Sequence, residues 1–355
     1  MFGQKKLNSK RQTTKKPSRW QRFKRAAIYL YVGVVLASIT ALVLVLDDEK
    51  DMLRDEGNAE IDADVVAILE AMDGEKSEAP IGEIDDFLPI RKQKPAKVEP
   101  EPVEPAWRLY AANWPLVRQP MLAIVIDDLG LSEDATTLLA EMQGPYTLSY
   151  LPYAENLATQ TALVRNAGHE LMVHMPMQPQ NADADPGPNA MLNDLTPAEF
   201  DRRLEWNLSR FEGYVGVNNH MGSALTENAG AMVRVMVRLK RDGHLFLDSL
   251  TSPKSVGVRA AKATGVPYIA RDIFLDNVRQ EGLILEQLAK AERIARSRGY
   301  AIAICHPYDV TLGTLMKWRK TLDKKGISLV PLSQIVASRE AVRHARLVNA
   351  QEKDD

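Results

Sequence analysis

The sequence predicts an α/β protein whose main domain is a compact barrel of seven or eight parallel strands, each followed by a helix. From residue 120 onward, short apolar runs alternate with amphipathic stretches that are long enough for helices. These repeating units fit within about 220 residues, which favours a compact barrel over an open sheet. The glycine fingerprint of dinucleotide-binding folds is missing after the first apolar run at 121–126, so that class of protein is disfavoured.

The N-terminal residues predict a membrane anchor. Residues 1–25 contain ten Lys or Arg and no acidic residue, and residues 26–46 contain no charge at all. As a helix, the uncharged stretch would span about 31 Å, which matches the hydrocarbon core of a bilayer. Acidic residues follow from Asp47, so the positive-inside rule predicts one crossing of the cytoplasmic membrane, with a cytoplasmic N-terminus and a periplasmic or otherwise extracytoplasmic domain. A cleaved signal peptide is the alternative, with small residues at 37–41 as the cleavage region, although the apolar run continues beyond them.

Residues 47–119 are predicted to form a flexible spacer. Their first half is strongly acidic, and residues 89–105 are rich in Pro, Glu and Lys. Such a composition cannot bury enough apolar surface to offset the entropy of ordering. Trp107 and Trp114 are expected to pack at the start of the folded domain, which is predicted over residues 120–346 and is followed by a polar tail at 347–355.

The overall composition argues against nucleic-acid binding and against cysteine-based sites. A net charge of -2 offers no electrostatic footprint for nucleic acid, and the basic N-terminal tail is more simply a topology signal. Cys305 is the single cysteine, which rules out an intramolecular disulfide and a CxxC metal site. This residue is expected to pack within its strand.

Within the folded domain, the apolar runs are predicted to be strands and the stretches between them helices. The predicted strands cover 121–126, 146–151, 170–175, 214–217, 245–247, 266–270, 300–305 and 327–331. The predicted helices lie near 132–142, 156–167, 197–211, 227–242, 254–264, 281–298, 311–324 and 332–346. Thr196 and Pro197 illustrate a start signal, because Thr is a good N-cap and Pro suits the first helical position.

Polar side chains follow six of the predicted strands at the point where each strand ends. In strand order they are Asp127 with Asp128, His174, Asn218 with Asn219 and His220, Asp248 with Ser249, Arg271 with Asp272, and His306. Because the carboxyl ends of parallel strands meet at one end of a barrel, these side chains are expected to converge there. His169 and His244 stand at strand starts, so they are expected at the opposite end, and His344 is expected on the surface.

Five of these residues have the chemistry of a hydrolytic metal site. Asp128, His174 and His220 would supply one carboxylate and two neutral imidazoles, a set suited to zinc or a similar divalent ion. Asp127 is then predicted to take a proton from the attacking water, and His306 is predicted to protonate the departing group.

Simpler structural roles remain open for the same side chains. One of the two aspartates would then cap the helix that begins near Ser132 while the other is solvated, and the histidines would bind backbone carbonyls at strand ends. Four of the other polar residues at these ends are predicted to contact a substrate: Asn219, Asp248, Ser249 and Arg271.

In this order, the motifs resemble those of the divergent polysaccharide deacetylases, which are relatives of the NodB-type carbohydrate esterases. The similarity rests on the Asp127-Asp128 strand end, HMPMQP at 174–179, NNHMGS at 218–223, FLDS at 246–249 and AICHP at 303–307. It covers residues 120–340 and implies a distorted (β/α)7–8 barrel of the NodB-like deacetylase type. It also implies that Asp127 is the base, that Asp128 binds metal and that His306 is the acid.

One departure from the NodB-type pattern concerns the metal ligands. The NodB-type enzymes take two histidines from one His-x-x-x-His motif, but four residues after His174 this chain has Gln178. The second imidazole is therefore predicted to come from His220, because its strand ends on the same side of the barrel.

Together these observations predict a membrane-anchored, metal-dependent hydrolase that removes acetyl groups from a polysaccharide of the cell envelope. The predicted cofactor is a divalent metal, zinc before others, and the predicted partners are the polysaccharide and the membrane, without nucleic acid. The alternative is a non-catalytic glycan-binding or scaffolding protein that retains the deacetylase fold. A third interpretation is a metal-dependent amidase acting on peptide crosslinks, which its products would distinguish.

Overall fold

The structure, a computed structural model, describes residues 104–117 and 120–354. The predicted basic tail at 1–25, the predicted membrane helix at 26–46 and most of the predicted spacer lie outside these residues. Within the two described ranges, no helix combines the length and the apolar character that crossing a bilayer requires.

The strands of the described residues form one parallel sheet. In chain order they are β1 Met121–Leu129, β2 Thr147–Tyr150, β3 Glu170–Met177, β4 Gly216–Met221, β5 Leu245–Asp248, β6 Tyr268–Ala270, β7 Ile273–Phe274, β8 Tyr300–Cys305 and β9 Ser328–Leu329. Their order across the sheet is β6-β5-β4-β3-β2-β1-β8-β7, with β9 paired to β1. β1 is therefore central, because it pairs with β2, β8 and β9.

Helices connect the strands along the described chain. They are α1 Ala106–Leu109, α2 Glu133–Glu141, α3 Leu157–Asn166, α4 Pro197–Leu208, α5 Ala229–Asp242, α6 Gly257–Thr264, α7 Glu281–Arg298, α8 Asp309–Arg319, α9 Leu322–Lys325 and α10 Leu332–Asp354, with a 3-10 helix at Leu225–Glu227. The predicted start signal of α4 is confirmed, since Thr196 Oγ1 accepts a hydrogen bond from Glu199 N at 3.3 Å and Pro197 is the first helical residue.

The sheet curls into a half-barrel and is not closed by strand pairing. Its two edges, β6 and β7, are separated only by Arg271 and Asp272. Two parallel strands need a crossover of about a dozen residues to lie side by side, so consecutive pieces of one extended stretch cannot pair with each other. The closed barrel expected from the sequence is thus corrected to an open, curled sheet.

Two apolar layers cover the faces of this sheet. Leu122 and Ile124 of β1 belong to the larger layer, together with buried residues of the connecting helices. Ala123 of the same strand belongs to the other layer, to which α1 contributes Trp107 and α10 contributes Ile335. Because both faces of β1 are buried, its sequence is almost continuously apolar until the two aspartates.

Residues 104–117, which the sequence analysis assigned to the spacer, pack against this sheet. Trp107 is buried, and its backbone N donates a hydrogen bond to the Gly243 carbonyl at 2.9 Å. Trp114 packs against the same apolar layer. The packed domain therefore begins before residue 120, and its last helix continues to Asp354, across the predicted polar tail.

Each of the eight predicted strands overlaps a strand of the structure, and each predicted helix overlaps a helix. The additional strand, β7, contains two residues, Ile273 and Phe274. Two residues are too few to show a period in a sequence, so β7 gave no signal.

Candidate active site

An irregularity at the end of β1 aims both aspartates toward the same place. The pairing of β1 with β2 shifts register between Ile126 and Leu129, and Asp128 has a left-handed φ of 58°. Side chains of consecutive strand residues ordinarily face opposite sides, whereas a bulge with one extra residue changes this direction. As a result, Asp127 Oδ2 lies 3.7 Å and Asp128 Oδ1 lies 3.2 Å from the same nitrogen, His174 Nε2.

The helix that follows β1 has its own cap, so the aspartates are not needed there. Ser132 is the N-cap of α2, and its Oγ accepts a hydrogen bond from Ala135 N at 3.2 Å. The simpler interpretation, in which one aspartate caps this helix, is therefore wrong.

Asp128, His174 and His220 form a compact cluster at the carboxyl end of the sheet. The parallel pairing of β3 with β4 sets His174 beside Asn218, and His220 lies on the same face two residues later. Asp128 Oδ1 is 2.8 Å from His220 Nδ1 and 3.2 Å from His174 Nε2, and the two ring nitrogens are 3.2 Å apart. In the described part of the chain, these three residues form the group whose ligand atoms lie close enough together to share one ion.

The residues of this cluster fit a divalent metal ion. Two imidazole nitrogens and one carboxylate oxygen are a common zinc donor set, and two such ligands around one tetrahedral ion lie about 3.4 Å apart. Despite its close neighbours, Asp128 Oδ1 is buried without a hydrogen-bond partner of acceptable geometry. A buried oxygen of this kind is costly unless another group satisfies it.

The charges of the cluster are coupled. Burial raises the pKa of Asp128, but the contacts with His174 and His220 lower it more, so its pKa lies well below the usual range. Burial lowers the pKa of His174, but Asp127 and Asp128 outweigh that effect and raise it. The carboxylate of Asp128 is therefore held in its anionic form, the form that binds cations.

Asn218 connects the cluster to the candidate base. The sequence analysis placed it at a strand end but assigned it no role. Its Oδ1 accepts hydrogen bonds from His174 Nδ1 at 2.9 Å and from Ser149 Oγ at 2.5 Å. Its Nδ2 donates to Asp127 Oδ1 at 2.9 Å and to Ser249 Oγ at 3.2 Å. Because Nδ1 donates to Asn218, the neutral form of His174 has its lone pair on Nε2, directed at the cluster. The sequence did contain a signal that could have identified Asn218. Asn218 and His220 are two positions apart in a predicted strand, which places both side chains on one face of β4.

Asp127 is buried beside the cluster and suits a base. It is 3% exposed, and burial raises its pKa against the opposing effects of His174 and the Asn218 hydrogen bond. A carboxylate with a raised pKa accepts a proton more readily than a solvated one. Since Oδ1 is held by Asn218, Oδ2 is the oxygen left to receive that proton.

His306 is held by a second residue that sequence analysis missed, Asp276. His306 Nδ1 lies 3.2 Å from Asp276 Oδ1, while Asp276 Oδ2 accepts from His306 N at 2.8 Å and from Thr311 Oγ1 at 2.9 Å. His306 Nε2 is 3.6 Å from Asp128 Oδ2. Burial lowers the pKa of His306, but Asp276 and Asp128 raise it more, so the protonated ring is favoured. Asp276 lies just beyond the two-residue strand β7, which explains why no pattern selected it.

Asn219 and Asp248, two of the four residues predicted to contact substrate, are buried and hold the chain that follows β5. Asn219 Oδ1 accepts from Ser249 N at 2.9 Å, and Asp248 accepts from Leu250 N at 2.9 Å and from Ser255 Oγ at 2.7 Å.

The other two predicted substrate residues lie in or beside the same segment. The Ser249 hydroxyl contacts Asn218, and Arg271 Nε donates to the Ser249 carbonyl at 2.7 Å. Ser249 is thus linked to His174 through Asn218, and the contact of all four residues with a substrate stays a prediction.

Gln178 points away from the cluster. Its Oε1 accepts a hydrogen bond from Asn193 N at 2.7 Å, so this side chain holds the segment before α4. The imidazole of His220 lies in the cluster, at the place where the sequence analysis needed a second histidine.

The histidines at the opposite end of the sheet have separate structural contacts. His169 Nδ1 accepts from Tyr146 N at 3.1 Å, and Nε2 lies 2.9 Å from the Leu139 carbonyl. His244 stacks on Tyr214 with 4.4 Å between ring centroids. Neither ring joins the cluster, in agreement with the sequence analysis.

Two further residues have the surroundings that the sequence analysis expected for them. His344 is exposed. Cys305 is fully buried, and burial raises the pKa of its thiol, as expected for a packing residue and not for a nucleophile.

Comparison with known proteins identifies the family. The family described as divergent polysaccharide deacetylase matches residues 124–336. The chain belongs to this family.

Proteins similar to this chain occur in bacteria. The uncharacterized protein YibQ of Escherichia coli K12 is 34% identical over 215 residues, which cover 61% of this chain and 67% of that protein. An uncharacterized protein of Haemophilus influenzae is 33% identical over 219 residues, covering 61% and 77% of the two chains. The crystal structure of uncharacterized protein ATU2773 from Agrobacterium tumefaciens C58 superimposes with a TM-score of 0.63 and 29% identity, covering 65% of this chain and 95% of that chain. The fold is thus also found in a solved structure.

Proposed function

We propose that this chain is a metal-dependent hydrolase that removes acetyl groups from a polysaccharide of the cell envelope. The observation that supports the proposal is the convergence of Asp128, His174 and His220 between a buried carboxylate, Asp127, and a histidine held by a carboxylate, His306. Membership of the divergent polysaccharide deacetylase family supports the substrate class. The half-barrel is consistent with a distorted barrel of the NodB-like type.

Asp128, His174 and His220 would hold the ion, and zinc is the ion that best matches two imidazoles and one carboxylate. When bound, such an ion polarises the acetyl carbonyl and makes water a better nucleophile near neutral pH. Asn218 and the cluster itself keep the three ligand atoms directed at one point before any ion arrives.

Asp127 acts as the base in this proposal. As water oxygen bonds to the acetyl carbon, its proton moves to Asp127 Oδ2, while Asn218 holds Oδ1. Burial raises the pKa of Asp127, which favours the transfer of this proton to its carboxylate.

His306 acts as the acid. Asp276 fixes its Nδ1 and favours the protonated ring, which leaves the Nε2 proton for the departing nitrogen or oxygen of the sugar. The bond between the acetyl carbon and that atom breaks, and the products are acetate and a free amine or hydroxyl.

The location of the enzyme is a separate part of the proposal. The uncharged residues 26–46, with the basic block before them and acidic residues after them, support a single membrane crossing that leaves residues 120–346 outside the cytoplasm. A reporter enzyme that is active only outside the cytoplasm, fused after residue 355, tests this part. An inactive fusion that is present in full length would contradict it.

A non-catalytic glycan-binding protein is the second candidate, and Gln178 favours it because this residue stands where the related motif has a metal-binding histidine. The two candidates are separated by measuring bound metal and the release of acetate from acetylated glycans by the purified protein. Bound metal with acetate release is the result expected for the hydrolase. Glycan binding without acetate release, in metal-loaded protein, would exclude the hydrolase.

A further inference from the structure

Five planar side chains stand in a row beside the cluster, and we call them the arginine-aromatic strip: Arg271, Phe274, His306, Tyr308 and Arg279. Along the row, Arg271 Cζ is 5.2 Å from the Phe274 ring centroid, and Phe274 is 5.2 Å from His306. His306 is in turn 5.5 Å from Tyr308, and Arg279 Cζ lies 3.6 Å above the Tyr308 ring. The candidate acid is thus the middle member of a row with a cation at each end.

The strip borders the place where a substrate must enter. His306 Nε2 reaches to within 3.6 Å of Asp128, so the centre of the strip touches the cluster. At one end, Arg271 is fixed by the Ser249 and Leu250 carbonyls, at 2.7 Å and 3.1 Å. At the other end, the exposed Arg279 donates to the Tyr308 hydroxyl at 2.7 Å. A polymer held over His306 would therefore extend along these side chains.

Three carboxylates near the strip are already committed to other groups. Asp276 binds His306 and Thr311, and Asp272 pairs with Arg298. Glu281 pairs with Lys317. Among the described residues, Arg279 forms no ion pair, which leaves its guanidinium to attract an anion from solution.

Aromatic faces and guanidinium groups together fit one class of ligand. A sugar ring presents an apolar face to Phe274 or Tyr308, and the fork of an arginine matches a carboxylate. We propose that the arginine-aromatic strip binds an acidic glycan, one whose sugars carry carboxylates, and that Arg279 selects for the carboxylate. The assignment rests on the proposed function for the glycan, but its test does not require turnover.

The test compares two probes that differ only in whether the acidic sugars carry a carboxylate or a neutral hydroxymethyl group. A hyaluronan tetrasaccharide alternates carboxylate-bearing and N-acetylated sugars, and chemical reduction of its carboxylates gives a neutral partner. Calorimetry with the purified full chain is expected to show about tenfold tighter binding of the acidic probe, as for one charge-assisted hydrogen bond. Arg279→Ala is expected to abolish this preference, so that the two probes bind this variant with equal affinity.

Arg108→Ala is the matched control. Arg108 is likewise exposed and lies 4.3 Å from an aromatic ring, that of Trp107, but it belongs to α1, which packs beside Gly243 before the amino end of β5. This variant is expected to keep the full preference for the acidic probe. Equal affinities for the two probes, no measurable binding of either, or a preference that survives in Arg279→Ala would each overturn the proposal. Acetate release is measured separately on both probes, so a retained preference without acetate would contradict the proposed hydrolase and leave the strip supported.

Discussion

The two ends of the sheet contain histidines that are similarly buried and behave differently. At the carboxyl end, the carboxylates of Asp127 and Asp128 raise the pKa of His174, and Asp276 and Asp128 raise that of His306, in each case against the effect of burial. At the amino end, burial lowers the pKa of His169.

His244, also at the amino end, shows the same effect more strongly, since burial lowers its pKa to about 4. The comparison teaches that burial alone keeps a histidine neutral and structural. A buried histidine becomes suited to a chemical role where carboxylates converge on it.

The same contrast appears in the hydrogen bonds. His169 bridges Tyr146 and Leu139 through its two nitrogens, so no lone pair is left for a ligand. His174 uses Nδ1 for Asn218 and keeps Nε2 for the cluster. A metal site therefore needs an arrangement in which one nitrogen is anchored and the other is not.

The largest expected effect is the loss of bound metal when a ligand histidine at the carboxyl end of the sheet is replaced. A structural histidine at the amino end is replaced in a separate variant for comparison. We expect purified His220→Ala to lose its bound metal, because only two ligand atoms remain, and we expect His169→Ala to keep it. Removing His169 leaves the Tyr146 N–H without its acceptor, so this control should lose about 1–3 kcal/mol of stability while retaining the cluster. Elemental analysis of both variants after identical loading is the measurement. Equal metal content would show that the two ends do not differ as described.

Asp127→Asn is expected to separate chemistry from metal binding. Asp127 is outside the group of ligand atoms, so metal content should match that of the unmodified protein. Acetate release should fall by about 10²–10⁴-fold, because the amide cannot take the proton of the attacking water. Steady-state kinetics on an acetylated oligosaccharide, with metal analysis of the same sample, gives both quantities. If the activity stays within about threefold of that of the unmodified protein, a difference comparable to experimental scatter, Asp127 has no part in the mechanism.

Asn218→Ala is expected to have a smaller effect on the same end of the sheet. Without the amide, His174 Nδ1 and Asp127 Oδ1 lose their common partner, and metal affinity should fall by about 10–100-fold. Asn207 offers a matched control, since it is also fully buried and donates to the Asn189 and Arg203 carbonyls away from the cluster.

The readout for this pair is metal affinity, obtained by titrating metal-free protein with zinc. Asn207→Ala should be less stable than the unmodified protein but should bind zinc with unchanged affinity. If the two variants lose affinity equally, the loss reflects packing, and Asn218 has no orienting role.

The sequence analysis located the carboxyl end of the sheet well, because apolar runs that stop at polar residues identify strand ends. It did not show in which direction those polar side chains point. Asp248 and Asn219 stand at strand ends like His174, yet their polar atoms hold the following segment. The bulge that turns Asp128 toward His174 depends on pairing with β2, which no local pattern encodes.

Two features depended on contacts between distant segments and were therefore missed. Asp276 lies 30 residues from His306 along the chain and follows a two-residue strand, so its role appears only when β7 pairs with β8. The opening of the barrel has a similar origin. The pattern of apolar residues predicted β6 correctly as a strand. The sheet stays open because β7 follows β6 after only two residues, so these two edge strands do not pair.

The smallest expected effect tests the amino end of the sheet through the dependence of stability on pH. Burial lowers the pKa of His244 to about 4 in the folded protein from 6.5. As the pH falls below 6.5, the unfolded chain takes up a proton that the folded chain does not, so the free energy of unfolding decreases. The decrease is at most about 1.4 kcal/mol per pH unit, ends near pH 4, and is absent above neutral pH.

His244→Gln removes this contribution while keeping a polar side chain of similar length. Urea unfolding between pH 4.5 and 7.5, in about half-unit steps, is expected to show a shallower pH slope for this variant than for the unmodified protein. The exposed His344→Gln serves as the control and should leave the slope unchanged. Because stacking on Tyr214 is lost, His244→Gln should also be less stable at pH 7.5, so the slope and not the absolute stability carries the test. An unchanged slope would mean that burial does not keep His244 neutral, and the contrast between the two ends of the sheet would then rest on hydrogen bonding alone.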